Sequence, residues 1–550
     1  MRLRGGKDHI LLGAARKLHI PLGPFRMNDG SDPIPATQDD PKNPIWCRKL
    51  TSSRETLSAL LEEGKTLRYG TTSNGQLGFE GAIPYVLDDY TEDVIRLAHS
   101  CNHGHSFGTE VLNCPNSSAV EGALDAPQAL DACDSAAFIA TQEAPSELYG
   151  EPQIWQTSRF DDLLRRNSNS SFGARSDWVD LRSCISGYSA VLMGRNAGTS
   201  LYPWGDSETT EYLRPLRGMQ DLPETFARHF EAYGGSIHRN SELTQVDQDP
   251  STGEWKLTFA RTATSPCTSI TRATEETFSV RAKKVVLNLP LAPLSRVKFG
   301  GAAQQKVTKL LGAISGANYA KYFLVFREPW FHSRASKATG YNFTVGRFTS
   351  STAITQAFAW YPGTQAHEDT VPETCQDVHV LQLYDTSATG GWESNPDAQA
   401  AMDCDSGDGQ CSQCFDPAQY VGPISNQATI RDWARIKNIL LEIFGPGDIP
   451  EPLEIRHHIW RPTDPVAQMH AVHTWNAGYR WWEKYADALQ PMPGLHIVGE
   501  AFSLNSGWGE GAAETAEYML QEKLGMQRPP WLSRQHYCQA MPYYPERRAV

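Results

Sequence analysis

Long hydrophobic runs are absent from this chain of 550 residues. The longest apolar pieces, such as Tyr322–Phe326 and Ile439–Phe444, fall far short of the roughly 20 residues that a membrane helix needs, so no membrane span is expected. A surplus of positive charge is lacking as well. The 50 Lys and Arg stand against 63 Asp and Glu, and the resulting net charge of -13 repels a phosphate backbone, which excludes nucleic acid as a partner. Met1–Ile20 places basic residues ahead of the short apolar run Ile10–Ala15, but Lys17 and His19 follow at once with no small-residue cleavage site, so it is not read as a signal peptide. A framework of paired cysteines is missing too. The 11 cysteines are scattered apart from Cys404, Cys411 and Cys414, which lie in a loop with Asp403, Asp405 and Asp408. Three thiols there leave a metal or a disulfide open, and no metal site is expected elsewhere. Compartment is not fixed by these features or by the short sequons at Asn116, Asn169 and Asn342.

What is present suits a large globular chain: 40% hydrophobic residues over this length can bury the cores of two or three domains. Residues 1–45 run from the helical pattern Ile10–Leu18 into a Pro- and Asp-rich boundary, Asp29–Pro44. Residues 46–205 read mostly as helix, for example Arg54–Glu63 and Thr91–Ser100, and form an inserted helical domain. From 206 to 300 the texture is that of an α/β nucleotide-binding layer. It holds a helix over Leu222–Tyr233 and strands over Ser236–His238, Leu243–Asp247, Trp255–Phe259 and Lys284–Leu289. Residues 301–484 carry strands at Tyr322–Phe326, Thr355–Trp360 and His379–Tyr384, a low-complexity stretch from Thr386 to Tyr420, and a helix over Thr429–Phe444. The unit 485–525 is a strand Leu495–Val498, a turn at Gly499–Glu500, a small-residue loop and a helix Glu510–Leu524, followed by a tail over 526–550.

That last unit holds the strongest signal, GLHIVGEAFSLNSGWGEGAAETAEYML at residues 494–520. An acidic residue ends a buried strand, and glycines flank a tryptophan just before a helix. Such glycines let backbone approach a planar ligand, and the positive end of the helix dipole stabilises negative charge on it. The stretch resembles the last motif of the flavin-dependent amine oxidases of the monoamine oxidase and L-amino-acid oxidase type. By that resemblance Glu500 would hold the ribityl hydroxyls of FAD, Gly507 and Trp508 would line the substrate side of its ring, and Gly509, Glu510, Gly511 and Ala512 would bind its pyrimidine edge. Plain strand-to-helix packing is the competing reading of the same residues.

Other segments fall in the order of that family. Arg217–Pro223 resembles its G-G-M-x-x-L-P element with Arg217 in place of a glycine, and Leu243–Val246 resembles the strand whose Val246 backbone would meet the adenine. Tyr319–Leu324 is similar to the strand bearing a lysine that holds a water against the flavin, which makes Lys321 the candidate catalytic residue; a solvent-facing lysine is the alternative. Met1-Arg2 and Tyr384 resemble the arginine and tyrosine that share a substrate carboxylate, a role for which the planar fork of Arg2 is suited, with a frayed terminal residue and a half-buried strand aromatic as the other readings. The stretch Trp460–Pro465, with His470, His473 and Trp475 beyond it, resembles the family's W-x-x-D-P segment, and its histidines read as packed or cavity-lining rather than metal-bound.

The resemblance implies an α/β fold with three parts. These are a Rossmann-like FAD domain (206–300 with 485–525), a mixed-sheet substrate domain (1–45 with 301–484) and the helical insertion. The strand, G-x-G-x-x-G turn and helix with which such FAD domains open do not precede Met1, so that domain is expected to be incomplete at its amino end. The implied reaction is FAD-dependent oxidative deamination of an L-amino acid by molecular oxygen, giving a 2-oxo acid, ammonia and hydrogen peroxide. An amine lacking a carboxylate, or a truncated chain that retains no FAD, are the alternatives; a homodimer is compatible with either activity.

Overall fold

A computed structural model describes residues 3–5, 8–25, 44–46, 55–56, 212–264, 271–339, 346–350, 352–360, 379–385, 427–444, 446–463, 468–479, 488–534 and 537. In chain order the first elements are β1 (Leu3–Arg4), α1 (His9–Lys17), β2 (Leu22–Pro24), β3 (Pro44–Trp46), β4 (Glu55–Thr56), β5 (Tyr212–Pro215) and α2 (Asp221–Ala232). There follow β6 (Ser241–Gln248), β7 (Trp255–Thr264), β8 (Thr271–Ala282), β9 (Val285–Leu287), α3 (Leu291–Arg296), β10 (Lys298–Phe299), α4 (Gly301–Gly312) and β11 (Ile314–Ala317). The remainder comprises β12 (Tyr319–Phe326), α5 (Trp330–Thr339), β13 (Gly346–Ser350), β14 (Ile354–Trp360), β15 (His379–Asp385), α6 (Gln427–Phe444), β16 (Glu454–Trp460), β17 (Val472–Trp475), β18 (Leu495–Ile497) and α7 (Gly509–Tyr518).

The largest sheet runs β16-β12-β15-β14-β13-β3-β4. Strand β12, second from one edge, alternates: Tyr322, Leu324 and Phe326 are fully buried, while Lys321, Phe323 and Val325 between them are not. A strand with period two gives one face to a core and the other to something else. The covered face meets α6, whose Trp433, Ile436, Leu440, Ile443 and Phe444 recur at three- and four-residue spacing and pack with Tyr322, Leu324 and Phe326. Burying each such side chain stabilises the fold by roughly 1.5–3 kcal/mol, so the register of β12 is firmly set.

A second core joins Val246, Leu287, Val307, Leu310, Leu495 and Ile497, where β9 pairs in parallel with β18 and β6 pairs in parallel with β10. Parallel and antiparallel ladders with helices laid on them make the fold α/β, as expected. Antiparallel β6, β7 and β8 complete one sheet, and β5 lies between β1 and β2 in a small third one. Among the described residues no helix is long and apolar enough to cross a membrane.

Several expected elements are corrected. No strand forms over Ser236–His238; Asn240 takes a left-handed φ of 55° and turns the chain so that pairing with β7 starts at Ser241. Within the expected helix Arg54–Glu63, Glu55 and Thr56 instead pair antiparallel with Ile45 and Pro44, because a neighbouring strand there offers ladder partners. Strand β8 carries too little apolar alternation to be read from sequence and forms on its ladder with β7, helped by Phe278 stacked on Phe259 at 5.2 Å. The helix expected to Leu524 changes to a π-helical turn from Met519. The tail expected from residue 526 is packed as far as Tyr537: Leu532 and Tyr537 are buried in the second core, and Trp531 lies against Gly13 of α1. The rest of the expected helical insertion and the Cys404, Cys411 and Cys414 loop lie outside the described residues.

One partly buried histidine gives this core a pH dependence. His332 in α5 sits in ring contact with Phe331 and His379, and burial first, then His379, pushes its pKa from 6.5 down to about 4. A histidine that is harder to protonate when folded contributes full stability above 6.5 and loses it as the pH falls toward 4. Denaturant midpoints measured across that window should fall less steeply for His332→Phe than for the unaltered chain.

Candidate active site

Because Tyr322 and its neighbours face α6, Lys321 is turned to the opposite face of the large sheet. There it stands opposite Tyr384 of β15 on one side and His458 of β16 on the other. Its Nζ lies 4.8 Å from the centre of the Tyr384 ring and 5.3 Å from that of Trp460. An ammonium over two aromatic faces is held by the ring quadrupoles, at about 0.5–2 kcal/mol each according to desolvation. Tyr384 is met edge-on by Phe358 at 5.4 Å and belongs to one aromatic cluster with Phe358, Tyr212, Phe25 and Trp508. The structure thus brings together Lys321, Tyr384 and Trp508, which lie far apart in sequence.

Trp508 reaches that cluster from the loop between β18 and α7. Gly499 turns the chain with φ 129°, a conformation that a side chain would strain, and Glu500 opens a short 3-10 turn. The Glu500 carboxylate accepts from the Nδ1 of His473 at 2.7 Å, from the His473 backbone N–H at 3.2 Å and from the Gly507 N–H at 2.6 Å. It therefore joins β17 to the loop. Gly507 is again left-handed at φ 82°, and Trp508 is extended, after which α7 begins. Gly511 is required where it stands, since a Cβ there would run into the Asn505 carbonyl and the Ser503 hydroxyl. Thr515 ties the far side, accepting from the Gly499 N–H at 2.9 Å and donating to the Ala512 carbonyl at 2.8 Å.

Glu510 is fully buried and directed away from the cluster. Its two oxygens accept from the backbone N–H groups of Ile10, at 2.6 Å, and Leu11, at 2.8 Å. Those groups are in the first turn of α1, where no intrahelical acceptor exists, so Glu510 caps a helix about 500 residues away in the chain.

The sequence-based candidates therefore divide. Lys321, Tyr384 and Trp508 converge, with Gly507 and Gly509 beside them in the loop. The side chain of Glu510 is committed to α1, the Gly511 N–H closes the first turn of α7 on the Trp508 carbonyl, and Glu500 is engaged by His473 and Gly507. Val246 is fully buried, and its carbonyl accepts from the Gly300 N–H at 3.0 Å. Arg2 lies outside the described residues. Sequence reasoning passed over Tyr212, Phe25 and Phe358, whose only signal was aromatic character in or beside strands. A separate cleft of about 370 Å³ between the end of α1 and α2, lined by His19, Arg217, Asp221 and Arg228 among others, contains none of the cluster residues and is a different place. Among the described residues no group of His, Cys, Asp and Glu could hold a metal ion.

The description of a known family, the flavin containing amine oxidoreductases, matches residues 146–518, more than half of the sequence. The chain belongs to that family. FAD is its cofactor, and oxidation of a small-molecule amine is its class of chemistry. No curated protein matches the sequence. Among solved structures, wild-type putrescine oxidase bound to putrescine is similar at 12% identity and a TM-score of 0.51, over 96% of this chain and 87% of that one. Cyclohexylamine oxidase from Brevibacterium oxydans IH-35A is similar at 11% identity and a TM-score of 0.48, over 96% and 88%. At 12% identity the likeness to putrescine oxidase concerns the fold alone.

The residues around Lys321 fit a flavin ring. Gly507 and Gly509 present backbone without side chains, Trp508 and Tyr384 offer flat faces, and the carboxylates of Glu500 and Glu510 are both turned to protein N–H groups. The loop leading into the N-terminus of α7 would thus leave room for the edge of a flat ring. The Glu510 cap can be tested by stability alone. Replacing it with Ala orphans two buried amides of α1, so Glu510→Ala should lower unfolding stability by about 1–3 kcal/mol in urea titration.

Proposed function

We infer that this chain is an FAD-dependent oxidase that deaminates an L-amino acid, releasing a 2-oxo acid, ammonia and hydrogen peroxide. The observation that carries the reading is the placement of Lys321 between the rings of Tyr384 and Trp460, in reach of the cluster that contains Trp508. Bound FAD supplies the two-electron oxidation of the substrate C–N bond and passes the electrons to oxygen. Everything else is done by this chain. Gly507, Trp508 and Gly509 would hold the ring on its substrate side, with Ala512 and the first turn of α7 at its pyrimidine edge; Val246 would serve the adenine end.

Tyr384, Trp460, Trp508, Tyr212 and Phe358 exclude water from the reacting carbon. In that dry setting the neutral amine, the form that can be oxidised, is favoured over the ammonium. Lys321 holds a proton at Nζ and can pass it through a bridging water as oxygen takes up electrons. Tyr384 and Arg2 are the groups proposed to share the substrate carboxylate, and Tyr384 lies where Lys321 is. The second reading, a simple amine as substrate, is favoured by the likeness to putrescine oxidase.

Stopped-flow kinetics of the FAD-loaded protein separates the role of Lys321 from general damage. Lys321→Met should slow reoxidation by oxygen about 100-fold or more while slowing reduction by substrate much less. Equal losses in both half-reactions would remove Lys321 from oxygen chemistry.

A further inference from the structure

The cleft of about 370 Å³ between the end of α1 and α2 has a lining rich in cationic and imidazole groups. Arg217, Arg228, His19 and His229 line it, against a single acid, Asp221. That acid is buried and already engaged: the Thr225 hydroxyl donates to it at 3.4 Å, and Arg228 lies 3.8 Å away. Arg228 also donates to the Thr225 hydroxyl at 2.7 Å, which tethers its guanidinium at the cleft by one edge. Glu224 and Glu231 are on α2 as well but do not line the cleft. Arg217, in the turn before α2, is exposed and has no carboxylate partner among the described residues. In a chain whose net charge is -13, a cleft with this balance runs against the rest of the molecule.

The way α1 ends brings a further donor to the same place. The His19 N–H donates to the Arg16 carbonyl at 3.1 Å and the Ile20 N–H to the Ala15 carbonyl at 2.9 Å. This helix ending requires a left-handed residue after the cap, a position that glycine usually takes. Here it is taken by His19, at φ 55°. An imidazole thus stands at the cleft at some cost in backbone strain.

We propose that this cleft is a second ligand site, separate from the face around Lys321, and that it binds a small phosphate ester. A phosphate monoester carries close to two negative charges at neutral pH and three acceptor oxygens, so it can answer two guanidinium groups at once, where a single carboxylate answers one. The volume lies within the roughly 300–1,000 Å³ of small-molecule sites, which leaves room for an organic part beside the phosphate. Leu18, Ile20, Pro21 and Ala232 give that part an apolar wall. No residue of the aromatic cluster around Tyr384 and Trp508 lines the cleft, so occupancy does not depend on amine oxidation.

The test is calorimetric titration of the full chain at low ionic strength with glucose 6-phosphate, inorganic phosphate, succinate and glucose. Glucose 6-phosphate should bind saturably and more tightly than inorganic phosphate, glucose should give no signal, and the affinity should fall as salt is raised. Arg217→Ala should weaken binding about tenfold and Arg217→Lys by a smaller factor. Arg239→Ala, which removes an exposed arginine outside the cleft, should leave it within about twofold. Hydrogen exchange of the unaltered chain needs no variant: glucose 6-phosphate should slow exchange over residues 16–20 and 217–229. Absence of saturable binding, equal losses in Arg217→Ala and Arg239→Ala, no slowing over those two segments, or tighter binding of succinate than of glucose 6-phosphate would overturn the proposal. So would displacement of glucose 6-phosphate by FAD, since the cleft would then belong to the cofactor.

Discussion

The alternation of β12 is the constraint on which the rest depends. Tyr322, Leu324 and Phe326 are fully buried against α6, and a one-residue slip would put all of them on the wrong side at a cost of several kcal/mol. That packing, which has nothing to do with chemistry, is what holds Lys321 on the other face. The neighbouring strands then deliver Tyr384 and Trp460 beside it by register alone. A lysine placed by a hydrophobic core is held more firmly than one placed by hydrogen bonds of its own, because the whole strand has to move before it does.

The acidic residues of the last motif do a complementary job. Glu500 joins β17 to the Gly507 turn, and Glu510 joins α7 to α1, so each carboxylate ties together segments remote in sequence. In both cases the acceptor is a carboxylate and the donors are backbone or imidazole N–H groups, the charge-assisted pairing that is strongest when partly buried. The loop carrying Trp508 is thereby fixed from both ends. Glycine at 507 and 511 is what lets it fold so tightly.

Much of this was legible in the sequence. Strand, turn, small-residue loop and helix at residues 494–520 announced the loop that carries Trp508, and the apolar period of β12 and β15 announced the strands that carry Lys321 and Tyr384. The roles of the carboxylates were not legible. Glu510 looks like part of a ligand-binding turn, and only the fold reveals that α1 delivers two unpaired amides to it. Glu500 needs His473, whose partner cannot be inferred from a strand of four residues. The packed residues Leu532 and Tyr537 were missed for want of any periodicity around them.

The account's central claim is that the face bearing Lys321, Tyr384, Trp460 and Trp508 is where an amine gives its electrons to FAD. The most direct measurement is anaerobic mixing of the FAD-loaded protein with a panel of L-amino acids and matched amines, watching the visible flavin band. The account predicts that the band bleaches with at least one amino acid and returns when oxygen is admitted, and that Trp508→Ala weakens the bleaching. A flavin band unchanged by every amino acid and amine, or bleaching indifferent to Trp508, would contradict it.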